Sequence, residues 1–409
     1  VSDLGGRAIS AVGVLAMIVL AWAFSVDRRR MPWRTVAWGL GLQLALALVL
    51  LESSAGRAVF TAASVAVGKL TTYTNAGARF VFGPLMDSGF AIVTYVLPVI
   101  VFMGSLFAML FHLGVVQRVV RGLAWVLERT LRTSGAESLA AAANIFVGMV
   151  EAPLLVRPYV ERMTRSELFT VMTTGMATVA GSVMVVYAGM LGKGYAGHLL
   201  TASFLAAPGG VLLSKVMVPE TETPLTGGSA RTAVEQPAAN LIDAAANGAL
   251  AGLRLAGYVG AMLIAFVALI AVANDALSWL GGLFGVAGLT FQHVMGWGFA
   301  PLAWLMGVPA GEATRVGGLL GVKTVLNEFI AYQELARMVA DGTISHRSAV
   351  LASYALCGFA NFGSLAILLG GLGGMAPSRR GEIASLGLRS ILAGTLATLM
   401  AGAWAGVLL

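Results

Sequence analysis

The stretch Arg165-Ser-Glu-Leu-Phe-Thr-Val-Met-Thr-Thr-Gly-Met-Ala-Thr-Val-Ala-Gly181-Ser182 has a counterpart in Arg347-Ser-Ala-Val-Leu-Ala-Ser-Tyr-Ala-Leu-Cys-Gly-Phe-Ala-Asn-Phe-Gly363-Ser364. Arg-Ser opens each copy, and Gly-Ser follows sixteen residues later in both, without a gap. Upstream of each lies an apolar but interrupted stretch: 136–160, with Asn144 and Glu151, and 312–338, with Lys323, Asn327 and Glu328. Neither reads as a clean span or a surface loop. Irregular backbone at membrane depth survives only when buried in protein or lining a wet cavity, so both read as re-entrant hairpins.

Composition sets the surroundings of this repeat. Of 409 residues, 58% are hydrophobic and 11% charged, against about 25% charged in soluble domains. The fold class is therefore an all-α, polytopic membrane protein. Apolar stretches of about 20 residues suffice to cross a bilayer; they run 9–26, 35–51, 88–112, 166–190, 195–217, 253–273, 350–372 and 384–408, predicting eight spans. The net charge of +7 does not signal nucleic acid, because Lys and Arg fall in short breaks between apolar runs and not on one basic face.

Residues 9–26 precede their basic cluster, Arg28, Arg29, Arg30 and Arg34, whereas a secretory signal carries its charge first. The segment reads as a retained span with that cluster in the cytoplasm. Residues 116–132 space Arg118, Arg121, Arg129 and Arg132 among apolar side chains, the pattern of an interfacial helix. The polar stretch 219–247 reads as a cytoplasmic connector. Arg379, Arg380 and Arg389 place the last loop on the same side, and an even span count then puts both termini outside. The single Cys357 and four scattered histidines match no metal-ligand spacing.

Each half holds three full crossings and one hairpin. Three is odd, so the second copy is inverted relative to the first. Inverted repeats put the binding site of a secondary transporter near the midplane, at broken helices and hairpin tips. Glu151 and Glu328 fall at those points. A carboxylate at the bilayer centre costs about 2.5–3.5 kcal/mol on insertion scales, and the default reading of such a group is functional. The competing reading is a structural pair of Glu328 with Lys323, five residues away and off the favourable i,i+4 spacing. Asn144, Thr178 and Ser182, with carbonyls near Val147, offer neutral oxygens suited to a small hard cation. Interhelical hydrogen bonding is an equal reading of those polar residues. The run Gly370-Gly-Leu-Gly-Gly374 reads as close helix packing.

Three motifs in order, Asn144-Ile-Phe-Val-Gly-Met-Val-Glu151-Ala-Pro153, Lys323-Thr-Val-Leu-Asn327-Glu328-Phe-Ile-Ala-Tyr332 and Ala355-Leu-Cys-Gly-Phe-Ala-Asn361-Phe-Gly-Ser364, resemble those of the bacterial concentrative nucleoside transporters. The resemblance covers nearly the whole chain. It implies a homotrimer in the inner membrane, with an elevator mechanism. On the matching boundaries, 1–112 and 253–292 would be scaffold and 219–252 the connector. The repeats 113–218 and 293–409 would form the carrying unit. It further implies that Glu328, Asn361 and Ser364 bind ribose hydroxyls, that the first hairpin with Met149, Val150 and Glu151 meets the nucleobase, and that Val183 flanks the base while Phe359 lines the pocket. A sodium site is implied at Asn144, Val147, Thr178 and Ser182. In one place the chain departs from the family: Met149 and Val150 stand where the family usually has Gln and then Thr or Ser. The expectation is an importer of nucleosides coupled to sodium, with looser base selection or an altered substrate. Coupling to protons through Glu151 or Glu328 is the alternative. An intramembrane enzyme finds no support in an H-E-x-x-H or Walker A motif, and a channel would lack uphill accumulation.

Overall fold

The computed structural model describes residues 3–87, 92–192, 194–226, 238–286 and 288–409, and every regular element among them is helical. Three elements open the chain: α1 (Asp3–Ala23), α2 (Trp33–Ala47), extended by a π-helical turn at Leu48–Glu52, and α3 (Ser54–Phe82). The last was not expected. Its 29 residues mix small and polar side chains with Arg57, Lys69 and Arg79, so no apolar run announces it. Ser53 nonetheless caps its start by accepting from the Gly56 N–H.

After α4 (Leu97–His112) comes α5 (Val115–Leu131), the anticipated amphipathic helix. Val116, Val120, Ala124, Leu127 and Leu131 are buried on one face, while Trp125 faces outward beneath the Arg129 guanidinium, 5.0 Å from the ring centroid. The first hairpin follows as α6 (Gly135–Ala143), a loop over 144–150, and the short α7 (Glu151–Leu154) and α8 (Arg157–Val160). The span expected at 166–190 is two helices, α9 (Arg165–Ala177) and α10 (Gly181–Leu191), parted at 178–180, where Thr178 and Ala180 are extended. Then come α11 (Tyr195–Met217) and α12 (Leu241–Leu283), 43 residues long. The connector expected to reach residue 247 thus ends earlier, because the Asn240 side chain caps Asp243 N–H and starts the helix there. Residues 227–237 of that connector, and 88–91 at the start of the expected third span, lie outside the described residues.

The second half mirrors the first: α13 (Phe291–Leu305), a hairpin of α14 (Ala310–Val325) and α15 (Glu328–Ala340), then α16 (His346–Leu356), α17 (Phe362–Met375) and α18 (Arg380–Leu408). Seven segments among the described residues are long and apolar enough to cross a membrane. The eighth, expected at 350–372, is instead the pair α16 and α17, interrupted at 357–361.

The two interruptions meet. Met176 and Gly358 each stand eleven residues after the arginine of their copy, and a Cβ on Gly358 would lie 2.8 Å from the Met176 carbonyl oxygen and 2.9 Å from that of Ala177. The Phe359 N–H donates across the crossing to Thr178 O at 3.3 Å. Equivalent residues touching each other is what a pseudo-twofold axis between inverted repeats requires. Away from this axis, α4 and α12 pack backbone to backbone: a Cβ on Gly104 would meet Gly248 O at 2.6 Å, and one on Gly252 would meet Ile100 O at 2.8 Å. Gly248 and Gly252 form a small-xxx-small face, which lets membrane helices approach closely.

Candidate functional site: a buried carboxylate between two hairpins

Glu328 is the first residue of α15, directly after the two-residue tip Leu326-Asn327. Asn327 caps that helix, its Oδ1 accepting from Ile330 N–H at 3.0 Å, so the glutamate is aimed from a helix N-terminus. Its side chain is 6% exposed. Tyr187 of α10 donates its hydroxyl to Oε1 at 2.8 Å, and Asn361 donates Nδ2–H to Oε2 at the same distance. Asn361 also caps α17, accepting from Ser364 N–H at 2.7 Å. The break between α16 and α17 therefore presents Asn361 and Ser364 beside Glu328, drawing together three of the residues the sequence singled out.

Lys323 does not neutralise Glu328 by direct contact. Its fully buried ammonium donates to Ala355 O at 2.7 Å and Thr398 Oγ1 at 3.1 Å. Helix α16 ends one residue beyond Ala355, so that carbonyl belongs to the set a helix end leaves without intrahelical partners. The lysine satisfies it and places positive charge at the negative end of the α16 dipole.

On the other side, the first hairpin's tip is pinned to the break between α9 and α10 by the Gly181 N–H, which donates to Phe146 O at 2.9 Å. Asn144 is fully buried. Its Nδ2 donates to Thr174 Oγ1 at 3.3 Å, while its Oδ1 accepts no hydrogen bond. A buried, orphaned neutral oxygen costs about 1–3 kcal/mol, and it fits one ligand of a hard monovalent cation. Thr178, whose hydroxyl donates to Thr174 O at 2.9 Å, and Ser182 flank the same break, and Val147 sits in the hairpin loop facing it.

The expected base-facing residues are arranged differently from one another. Met149 is buried against Gly175, where an added Cβ would lie 3.0 Å from its own. Val150 packs into the glycine run of α17: a Cβ on Gly371 would meet its Cγ1 at 2.9 Å, which is the close packing that run predicted. Glu151 is exposed and folds back over Gly148, so the two glutamates are not an equivalent buried pair. Val183 is buried on α10, and Phe359 is half-buried in the break beside Asn361. Tyr187 was not anticipated. It lies in a run of apolar residues, and only the fold shows that it meets Glu328.

Two hairpins and two broken crossings related by inversion define a secondary membrane transporter. Comparisons with known proteins sharpen this. Profiles described as the C-terminus and N-terminus of Na+ dependent nucleoside transporters match residues 198–406 and 12–85, and one described as nucleoside recognition matches 93–194. The chain is 49% identical over 399 residues to the "Uncharacterized transporter YutK" of Bacillus subtilis, covering 97% of this chain and 98% of that one. It is 40% identical to mouse "Sodium/nucleoside cotransporter 1", covering 98% of this chain but 63% of the longer mouse protein. The solved structure of CNTnw in an inward-facing substrate-bound state superposes with a TM-score of 0.91 at 44% identity, covering 98% of this chain and 97% of that one. The chain belongs to the concentrative, Na+-dependent nucleoside transporter family.

Proposed function

We propose that the protein is a secondary active symporter that imports nucleosides across a bacterial inner membrane, driven by an inward sodium gradient. The observation that carries the reading is the buried Glu328 carboxylate, bracketed by Tyr187 and Asn361. An ionised carboxylate offers about four lone-pair sites. Neighbouring side chains donate to each oxygen, Tyr187 to one and Asn361 to the other, and the lone pairs left over accept from a vicinal pair of ribose hydroxyls. Asn361 keeps a second amide proton and Ser364 its hydroxyl for the same sugar. A site built on these bonds rejects analogues lacking a hydroxyl, because its own groups would stay unpaired.

Sodium is the coupling ion in this reading, with Asn144 Oδ1, Thr178, Ser182 and the Val147 carbonyl as ligands. A neutral oxygen orphaned in the interior suits a cation and offers no proton-carrying group, which favours sodium over protons. The base lies against the first hairpin, near Met149, Val150, Glu151 and Val183, with Phe359 lining the pocket. Met149 and Val150 carry no side-chain hydrogen-bonding groups of the kind Gln and Thr supply, so apolar contact holds the base and selects it loosely.

The repeats at 113–218 and 293–409 form the carrying unit. Residues 1–112 and the segment from α12 to 292 form the scaffold of a homotrimer, joined to the carrying unit through a connector that runs from 219 to the start of α12, and both termini face the periplasm. The base-selection part is tested by Met149→Gln combined with Val150→Thr, comparing competition of uridine uptake by adenosine, inosine and cytidine. A narrowed profile is expected. An unchanged profile would remove these two residues from base selection.

A further inference from the structure

The proposed ion shell and the ribose carboxylate share one short rigid element. Helix α10 begins at the break with Gly181 and Ser182, anchored to the first hairpin through Gly181 N–H and Phe146 O. Five residues after Ser182, about 7.5 Å along the axis at 1.5 Å per residue, stands Tyr187. Its hydroxyl donates to Glu328 Oε1 at 2.8 Å, and among the described residues this is the one side-chain hydrogen bond joining α10 to α15. The ring is held from behind by Tyr332 of α15, stacked at 4.2 Å between centroids with 21° between planes, and edge-on by Phe329. Tyr332 in turn donates its hydroxyl to Ser353 O of α16 at 2.7 Å. Tyr187 is fully buried and its hydroxyl has this single partner, so any shift of α10 changes the bond to Glu328.

We propose that Tyr187 is the positioning residue through which sodium occupancy reaches the ribose-binding carboxylate. The inference rests on the function proposed above and adds a route to it. Cation binding among the hairpin tip and the break fixes the start of α10. Tyr187 then holds Oε1 with its remaining lone pair toward the sugar, while Asn361 holds Oε2. Without a cation the start of α10 is less constrained, and the carboxylate is less often in the orientation that accepts two hydroxyls. Energetically this is a coupling between two sites, and it is reciprocal: sodium raises nucleoside affinity by the factor by which nucleoside raises sodium affinity.

The test is isothermal calorimetry on the purified full chain in detergent, titrating whichever of uridine and adenosine binds the wild type more tightly, in sodium and in choline. The wild type should show an affinity ratio within the range of about 5–150-fold typical of coupled sites. Tyr187→Phe keeps the ring, its stacking and its volume, and should bring that ratio down at least fivefold toward unity, with sodium affinity at saturating nucleoside falling by the same factor. A Tyr187→Phe protein that keeps the wild-type ratio overturns the inference. Hydrogen–deuterium exchange on the unmodified protein gives a second reading should the variant not fold: sodium alone should slow exchange at the start of α10 and also at 328–332. Protection confined to α9 and α10 overturns the inference equally. A wild type whose nucleoside affinity ignores sodium would instead sink the function proposed above, and this route with it.

Discussion

At the scale of single residues, the site works by leaving chosen bonds unmade. Glu328 has one side-chain donor on each oxygen, and Asn144 has an acceptor without a donor. The second case gives a direct prediction. Asn144→Ala removes the orphaned oxygen, so the sodium concentration for half-maximal uridine uptake should rise at least about tenfold, the loss of roughly 1.4 kcal/mol of ion binding. Uptake measured against sodium from micromolar to molar concentration reads this out, and an unshifted curve would remove Asn144 from the ion shell. Glu328 and Asn144 stood out in the sequence because a carboxylate or amide inside an apolar stretch demands a reason, whereas Asn361 entered only through the resemblance. Tyr187 was not, since a tyrosine among valines and methionines looks like any packed aromatic until its partner is known. The different settings of Glu151, exposed, and Glu328, buried, were also hidden: both begin the second arm of a hairpin, and sequence position alone gives them equal standing.

At the scale of elements, the breaks in the crossings are what a hydropathy reading smooths over. Residues 166–190 and 350–372 are predominantly apolar, so they read as continuous spans. The structure parts both, because the chain there trades intrahelical bonds for partners outside the helix. Phe359 N–H bonds Thr178 O, Lys323 takes Ala355 O, and Asn361 caps the resumed helix. Gly358 is the contact on which both breaks depend. Gly358→Val would press methyl groups into backbone oxygens of Met176 and Ala177 and into the Thr398 side chain. Overpacking of this kind costs about 1–3 kcal/mol, so the variant should melt several degrees lower in a detergent thermal-shift assay and lose uptake, whereas unchanged melting would mean the crossing has slack. Hairpins and the repeat were readable because spacing and misplaced polar residues survive in sequence. Helix α3 was not, because its small and polar residues belong equally to a loop.

At the scale of the whole molecule, the inverted repeat puts the orphaned oxygen of Asn144 at the first hairpin, beside the break between α9 and α10, and the buried Glu328 carboxylate at the second. Both lie where the crossings break. The long α12 buries little of itself beyond its seam with α4, and side chains such as Ile264, Val267 and Val272 are exposed, an apolar surface suited to lipid. An inward charge at 100 mV contributes about 2.3 kcal/mol, enough for roughly fiftyfold accumulation if one sodium moves with each nucleoside. The measurement that bears most directly on this account is uptake of radiolabelled uridine and adenosine into proteoliposomes, with and without an inward sodium gradient, for the wild type and Glu328→Gln. Sodium-driven accumulation of at least one nucleoside above equilibrium is expected, reduced tenfold or more in the variant, because hydrogen bonds to a charged group are worth about 1.5–3 kcal/mol each. Accumulation of neither nucleoside, or full accumulation by Glu328→Gln, would contradict it.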